Sequence, residues 1–389
     1  MGEGTGLARL QAEMARQGAD ALASLTGNAV VAAELAASIA RTGSLVLVGM
    51  GASHYVNRIV EPAWRKAGVD CRAETAGDIL QQDLPVRPRT LVLVSQSGES
   101  GEILQLLDRL PHNSDLFGMT LAPQSTLGRT LPCLIGAGGQ EVAFAATRSL
   151  TVTLALHAAA LAVHGVGEED LAAMLATPPL PDVDAALAAL ASKTSIIIAG
   201  RGELRGLAEA SGLILMELAR IPAFGFEFGQ FRHGPLEALA PELGVLLLRG
   251  PGSLSAGTVT LAKAAAGAGS PPVIFDCSGE ATIDGAVTVS FPPREGLGAV
   301  AAMLPALQKL IIAIAGRLVA RLARLQRDVA VPRIERRAVA AGAVVHQIKA
   351  GQEAGARRPA RRALAEMLAK QYAVGGERIE VRRAHIRMA

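Results

Sequence analysis

Short apolar runs that lead through small-residue turns into helical patterns organise much of the chain. Residues 45–48 (Leu-Val-Leu-Val) run into Gly-Met-Gly-Ala-Ser, and residues 91–94 (Leu-Val-Leu-Val) run into Ser-Gln-Ser-Gly-Glu-Ser. A helical pattern follows each turn at once, and residues 69–75 predict a further strand between them. Continuous apolar strands that alternate with helices are typical of a parallel sheet covered on both faces.

The same pattern recurs about 150 residues later, which indicates a tandem duplication of an α/β unit. Residues 194–210 read as strand, Gly-x-Gly turn and helix, and residues 244–265 as strand, small-residue loop and helix. Between the two repeats, residues 177–187 are rich in proline and acidic residues and predict a linker.

The predicted fold class is therefore α/β, with two similar three-layer αβα domains whose sheets are parallel and flavodoxin-like. The predicted division is N-terminal helices and a first, phosphate-binding domain at 1–165, a second domain with acid–base residues at 190–325, and a basic Ala/Arg-rich tail, open to disorder, at 326–389.

Composition narrows the class of protein. Half of the 389 residues are hydrophobic but only 3% are aromatic. An uninterrupted apolar run of roughly 18–20 residues, as a membrane span requires, is not found, and the N-terminus mixes charges, so we expect no membrane partner and no signal peptide. The three cysteines form no CxxC pair, which favours buried thiols in a reducing cytoplasm and no metal site.

The charge is unevenly distributed along the chain. The net charge is +3, but residues 321–389 hold 16 basic and 6 acidic residues, or +10, which leaves 3 − 10 = −7 for the rest. A basic tail can bind nucleic acid. Tyr372 is its only aromatic residue, so stacking partners are lacking and nucleic acid is not the expected partner.

The turn at residues 95–100 predicts a phosphate site. In parallel α/β sheets, ligands bind beyond the carboxyl ends of the strands, where helix N-termini offer free N–H groups and a partial positive charge. Ser95, Ser97 and Ser100 would add hydroxyl groups, and Gly98 permits close approach of the backbone. The competing interpretation is a helix N-cap, for which one serine would suffice.

The turn at residues 49–54 permits two interpretations. Gly49-Met50-Gly51 opens like a dinucleotide fingerprint, and Glu74 lies about 20 residues further on, but His54 stands where the third glycine is required. A dinucleotide-dependent oxidoreductase is therefore a disfavoured alternative. Ser53 could instead be a further phosphate donor.

Two residues of the second repeat suggest acid–base chemistry. Glu217 stands in a helical pattern that is apolar on nearly every side, where a carboxylate must be paired or have a raised pKa. Pairing with Arg220, or exposure to solvent, is an equally good interpretation. His233 lies between Arg232 and Gly-Pro, just before the Leu-Glu-Ala-Leu-Ala segment that predicts a helix, and a histidine beside a buried carboxylate can form an acid–base pair.

These pieces together resemble the sugar isomerase (SIS) family, and in particular the two-domain isomerase half of glucosamine-6-phosphate synthase and stand-alone proteins similar to it. Over about residues 10–325, Ser-Gln-Ser-Gly-Glu-Ser resembles the family's phosphate loop, and the 216–235 segment resembles its Lys-Glu-x-x-x-Ile … Lys-His-Gly-Pro motif. Gly-Ala-Ser-His and Val-Ala-Phe-Ala-Ala-Thr-Arg-Ser are weaker matches.

The resemblance implies roles for individual residues. The implied substrate phosphate ligands are Ser53, Ser95, Gln96, Ser97 and Ser100; Gly51, Thr147, Arg148 and Lys349 are further candidates. Glu217 would move a proton between C1 and C2 of an open-chain sugar, and His233 would open the ring, reaching the site from a partner subunit of a homodimer with shared active sites.

The chain departs from the family pattern in several places. No glutaminase domain precedes the repeats, and residue 2 is Gly where the catalytic Cys would stand. Ile214 occupies the place of the helix lysine. The usual C-terminal lysine motif is absent after residue 325, although residues 344–351 keep His-x-x-Lys with Lys349.

The expected function is a phosphosugar isomerase or deaminase that acts on an amino- or amine-linked hexose 6-phosphate in the cytoplasm without a cofactor. The isomerisation would be accompanied by deamination or by removal of the amine from a fructosamine-type adduct. A non-catalytic sugar-phosphate-binding regulator is the alternative from another class.

Overall fold

A computed structural model of the chain describes residues 3–82, 87–110, 115–167 and 169–328, with side chains from residue 6 to residue 318. Residues 1–321 form one compact unit and residues 322–389 a second. Lys349 and most of the predicted basic tail lie outside the described residues. Both sheets belong to the first unit, and the proposed domain boundaries at 165 and 190 remain a prediction.

The first repeat forms a five-stranded parallel sheet of order β2-β1-β3-β4-β5. Its strands are β1 Ser44–Gly49, β2 Asp70–Thr75, β3 Thr90–Val94, β4 Leu116–Thr120 and β5 Cys133–Ile135. The helices of this part are α1 Glu3–Thr26, α2 Ala29–Thr42, α3 Gly51–Lys66, α4 Ala76–Gln81, α5 Gly101–Arg109, α6 Thr126–Thr130 and α7 Arg148–Val163.

The second repeat forms a parallel sheet of order β10-β9-β8-β6-β7, which is the same topology with each strand five numbers later. Its strands are β6 Ser195–Gly200, β7 Ala223–Glu227, β8 Leu243–Arg249, β9 Val273–Asp276 and β10 Val287–Ser290. The predicted duplication and the flavodoxin-like strand order are both confirmed.

Six further helices connect and cover this part: α8 Glu169–Ala176, α9 Asp184–Leu190, α10 Glu203–Ala219, α11 Phe228–Arg232, α12 Thr258–Gly267 and α13 Gly296–Asp328. Helix α8 ends just before residues 177–187, the segment that predicted a linker, and α9 overlaps the end of that segment. The expected helix after His233 is only a short 3-10 helix, Pro235–Ala238. Pro241 follows closely, and the residue before a proline avoids the α-helical region.

The buried core continues from one sheet to the other through the antiparallel helices α3 and α10. Gly206 permits this close packing, since a Cβ atom there would lie 2.4 Å from the backbone nitrogen of Ile59. Arg58 of α3 also forms a bidentate ion pair with Glu209 of α10, at 3.1 Å for each N–O distance. The two repeats are therefore joined by apolar packing and by charge.

The last helix is apolar enough to be mistaken for a membrane span. Within residues 296–318, the most apolar 18-residue window has a mean hydropathy of 1.9, and 72% of that window is buried inside the protein. Met303, Leu307 and Leu310 are completely buried in the shared core. The hydropathy of this helix is thus explained by its packing between the other elements.

Candidate phosphosugar site

A cavity of about 190 Å³ lies where the turn after β1 meets the loop after β3. The connection after β1 leads to β2 on one side of this position, and the connection after β3 leads to β4 on the other side. Open α/β sheets hold ligands where the strand order reverses in this way. Its lining residues come from three helix N-termini and their preceding turns, and are Met50, Ala52, Ser53, Val56, Gln96, Ser97, Ser100, Ala146, Ser149, Leu150 and Thr153. Four of the five predicted phosphate ligands are therefore brought together.

The loop between β3 and α5 is fixed by its own hydrogen bonds. Ser95 is 2% exposed, and its Oγ lies 2.9 Å from Ser100 Oγ and accepts a hydrogen bond from the Gly98 N–H at 3.1 Å. Gly98 has φ +65°, and a Cβ there would lie 1.9 Å from Ser125 Oγ. Ser95 is thus placed beneath the loop, where it orients Ser100 and does not line the cavity.

Two uncapped helix N-termini point to the same cavity. Ser100 occupies the N-cap position of α5 and Met50 occupies that of α3, but neither side chain forms a capping hydrogen bond. The first N–H groups of both helices therefore remain available to an acceptor. The N-cap interpretation of the serines is weakened, because Ser100 does not act as a cap, and the cavity is suited to a small anion such as a phosphate.

The segment before α7 is organised by a buried carboxylate that sequence reasoning missed. Glu141 is 8% exposed, and it accepts hydrogen bonds from the N–H groups of Thr147, Arg148 and Ser149 and from the Thr147 hydroxyl, at distances of 2.6 to 3.3 Å. The N-terminus of α7 is thereby already occupied by an anion of the chain itself. An acidic residue shortly before a predicted helix was the signal available in the sequence.

Thr147 and Arg148 have structural roles in this arrangement. Both are completely buried. The Arg148 guanidinium contacts the carboxylates of Glu13 (2.5 Å) and Asp20 (3.2 Å) and donates to the carbonyls of Ala137 and Gly139. With its donors used in this way, Arg148 is not available to a ligand, and Ala146 contributes no hydroxyl to the cavity wall.

Glu217 is half-buried near the C-terminus of α10. Burial raises the pKa of its carboxyl above the ordinary value. Among the described residues it forms no hydrogen bond or ion pair, so the suggested pairing with Arg220 is not made. A carboxylate with a raised pKa and no partner fits a proton acceptor better than it fits an ion pair.

The packing of α10 on α3 shows where Glu217 lies along the helix pair. A Cβ on Gly51, at the N-terminus of α3, would lie 3.9 Å from Leu213. Glu217 is one helical turn, roughly 6 Å, further along α10. It therefore extends beyond the end of α3 that carries Ser53, although it does not line the cavity itself.

The other predicted residues are distributed unevenly. His233 is exposed at the end of α11, as its Gly-Pro context suggested, and it does not line the cavity. Gly51 begins α3 with φ +53°. Ile214 is 1% exposed and packs in the core, so its position offers no polar group to a ligand.

The cysteines and His157 are buried and have structural roles. All three cysteines are free and buried, as predicted. Burial raises the pKa of Cys133 to about 12 and that of Cys277 to about 11. His157 is completely buried beside Asn57, and burial lowers its pKa to about 3.

No protein-family profile matches the chain. A curated relative, the isomerising glutamine–fructose-6-phosphate aminotransferase of Gloeobacter violaceus, is 30% identical over 220 residues, covering 51% of this chain and 36% of the relative. The chain thus aligns with about a third of that enzyme.

Solved structures give matches over most of the compact unit. The C-terminal domain of glucosamine-fructose-6-phosphate aminotransferase from Francisella tularensis has a TM-score of 0.69 at 19% identity, covering 80% of this chain and 96% of that one. Tagatose-6-phosphate ketose/aldose isomerase from Escherichia coli has a TM-score of 0.66 at 18% identity, covering 79% and 92%. Glucosamine-6-phosphate deaminase from Thermotoga maritima has a TM-score of 0.62 at 16% identity, covering 80% and 95%.

Proposed function

We propose that the chain is a phosphosugar isomerase or deaminase. This proposal follows from its SIS fold and from its homology to the isomerase half of glutamine–fructose-6-phosphate aminotransferases. The proposed substrate is an amino- or amine-linked hexose 6-phosphate. The reaction would couple aldose–ketose isomerisation to loss of the amine.

The observation that carries the proposal is the cavity that brings together Ser53, Gln96, Ser97 and Ser100. Three hydroxyl groups, one amide and two uncapped helix N-termini can together donate several hydrogen bonds to one phosphate. Among the described residues, no arginine or lysine lines the cavity, so its size and charge suit a single phosphate group better than a di- or triphosphate.

Glu217 is the proposed proton-transfer base. Interconversion of an aldose and a ketose requires a group that takes a proton from one of C1 and C2 and returns it to the other. A carboxyl group whose pKa is raised by burial accepts and releases a proton near neutral pH more readily than an ordinary one. Its position beyond the N-terminus of α3 supports this role.

The proposed active unit is a homodimer in which each subunit completes the other's site. Because His233 is exposed, its imidazole ring can reach a second copy of the chain. In this arrangement His233 of one subunit would open the sugar ring at the Glu217 site of its partner.

A phosphosugar-binding regulator is the second candidate. It is favoured by the lining of the cavity, which includes no acid or base among the described residues, and by Ile214, which occupies the place of the family's helix lysine and is buried in the core. On this hypothesis the chain binds a sugar phosphate without converting it.

One experiment separates the two candidates. The chain is incubated in deuterated water with fructose 6-phosphate, glucose 6-phosphate or glucosamine 6-phosphate, and the C1 and C2 protons are followed by NMR while a thermal-shift titration measures binding. Stabilisation by the sugar phosphates together with proton exchange supports the enzyme. Stabilisation without exchange supports the regulator. NAD and NADP are titrated in parallel, and stabilisation by either of them in place of the sugar phosphates would contradict both candidates.

A further inference from the structure

The second sheet contains a counterpart of the Ser95–Ser100 loop. Gly49 of β1 is paired with Val94 of β3, and Ala199 of β6 is paired with Leu247 of β8, so that Gly200 corresponds in register to Leu248. Since Gly49 and Gly200 each begin a Gly-x-Gly turn, Ser95 and Arg249 occupy equivalent positions at the two switch points.

The internal hydrogen bond of the loop is retained in the second repeat with a different partner. Ser95 Oγ lies 2.9 Å from Ser100 Oγ, just before α5, and Arg249 Nε donates to Ser255 Oγ at 2.9 Å, just before α12. Arg249 is 3% exposed and Ser255 is 8% exposed. The second loop is therefore built like the first, with a buried guanidinium where the first has a hydroxyl.

The two terminal nitrogens of the Arg249 guanidinium have different kinds of partner. Arg249 Nη1 is fixed by Asp276 Oδ2 at 3.0 Å and by the Ala281 carbonyl at 2.9 Å. Its Nη2 instead donates to Glu280 Oε2, which also accepts a hydrogen bond from the Ser255 hydroxyl at 2.8 Å. The Glu280 side chain is 45% exposed, so it can move into solvent without disturbing the buried Arg249–Asp276 pair.

The N-terminus of α12 follows this loop, and its first N–H group, that of Thr258, donates to the Ser255 carbonyl at 3.1 Å. The N-cap residue of α12, Gly257, makes no side-chain capping bond, and Thr258 Oγ1 is buried without a hydrogen-bond partner among the described residues. A guanidinium arm, a serine hydroxyl and an uncapped helix N-terminus are the groups that hold phosphates in proteins. At present the guanidinium Nη2 and the serine hydroxyl hold a carboxylate of the chain itself, that of Glu280.

We propose that Arg249, Ser255 and the N-terminus of α12 form a second anion site, which takes the phosphate of a phosphate monoester when Glu280 swings out. In this site the Glu280 carboxylate is a built-in competitor that keeps the affinity for phosphate low. The site is independent of the function proposed for the first cavity, because it lies at the switch point of the other sheet.

The first test removes the competitor. Glu280→Gln keeps the shape of the side chain but removes its charge, and it should bind inorganic phosphate at the second site at least about 10-fold more tightly than the natural chain in calorimetric titration. Ser255→Ala added to Glu280→Gln should reverse most of this gain, since a hydrogen bond to a charged group is lost. Arg87→Gln is the control, because Arg87 pairs with Asp70 at 3.2 Å at the first sheet and should leave the titration unchanged.

The second test uses the natural chain. Phosphate that displaces Glu280 should increase the carbodiimide-catalysed labelling of its carboxyl group, as mapped by mass spectrometry, whereas chloride at equal ionic strength should not. Fructose 6-phosphate should act like phosphate, and fructose should not. Ser97→Ala, in the first cavity, should leave this response intact. Equal phosphate affinity of Glu280→Gln and the natural chain, or labelling that phosphate does not alter, overturns the proposal.

Discussion

The serines of the first loop divide into two kinds that the sequence does not distinguish. Ser97 and Ser100 line the cavity, whereas Ser95 is buried and bonded to the loop itself. Spacing alone suggested three equivalent ligands, because the direction of each side chain depends on how the loop turns at Gly98. Substitution of a lining serine should therefore affect binding, and substitution of Ser95 should affect folding of the loop.

Ser97→Ala should weaken phosphosugar binding by about 1–2 kcal/mol, because a hydrogen bond to a charged group is lost. The melting temperature without ligand should stay nearly constant, since Ser97 accepts only one local bond, from the Glu99 N–H at 3.2 Å. Ser290→Ala, at an exposed position of β10, is the matched control. Calorimetry with fructose 6-phosphate measures both, and equal affinities for the two variants would remove Ser97 from the site.

Glu217→Gln should slow proton exchange at C1 and C2 by a factor of about 10²–10⁴ while leaving phosphosugar binding intact. Gln has a similar size and cannot accept the proton. Undiminished exchange in this variant would return Glu217 to a structural role.

The pH dependence of stability gives an independent test of Glu217. Because burial raises its pKa in the folded chain, the folded state holds the proton more tightly than the unfolded state, so the natural chain loses stability as pH rises through the window between the two values. Glu217→Gln should therefore melt at a higher temperature than the natural chain at neutral pH. The difference should shrink below about pH 4. Thermal melts across pH measure it, and a difference that grows at acid pH would contradict the burial argument.

At the scale of the elements, buried charges fix α1 against the first sheet's helices. Arg148 at the start of α7 is completely buried between carboxylates of α1. Burial alone would raise the pKa of Glu13, but hydrogen bonds from Val142 N–H and Arg148 and the positive charge of Arg148 hold it below its ordinary value. This contribution to stability is present at neutral pH and is lost as the pH falls through the lowered pKa.

Arg148→Met should destabilise the chain by about 3–5 kcal/mol, because the buried Glu13 would lose its buried cation and keep only Arg16 and the Val142 N–H as partners. Arg72→Met is the control, since the Arg72–Asp70 contact of 3.9 Å is exposed and should contribute at most about 1 kcal/mol. Urea unfolding measures both values. Equal losses for the two variants would show that the buried cluster does not hold α1 on α7.

At the scale of the whole molecule, the compact unit ends at Arg321, in the last quarter of α13. Both sheets and the helices between them lie within residues 1–321. We therefore expect this unit to fold without the residues that follow it.

Truncation after Asp328 should leave a folded chain, as judged by circular dichroism and a cooperative thermal melt. Phosphate binding should be retained, because all residues that line the first cavity precede residue 154. If Lys349 supplies a catalytic lysine, the truncated chain should lose proton exchange at unchanged affinity. A truncated chain that aggregates would show that the removed residues cover part of the core.

The sequence by itself determined the repeat and its topology class, because a strand buried on both faces must be continuously apolar and a parallel connection requires a helix. The strand at Leu45–Val48 and its counterpart at 195–200 could be read from this requirement alone. Tertiary structure decided which polar residues serve the site. Arg148 and Ser100 stand in similar turns before helices, yet one is neutralised by carboxylates of α1 and the other lines a cavity. The carboxylates that neutralise Arg148 lie more than 100 residues away along the chain, and the cavity that Ser100 lines is completed by Ser53 and Ala146 from other parts of the chain, so no local pattern records these roles.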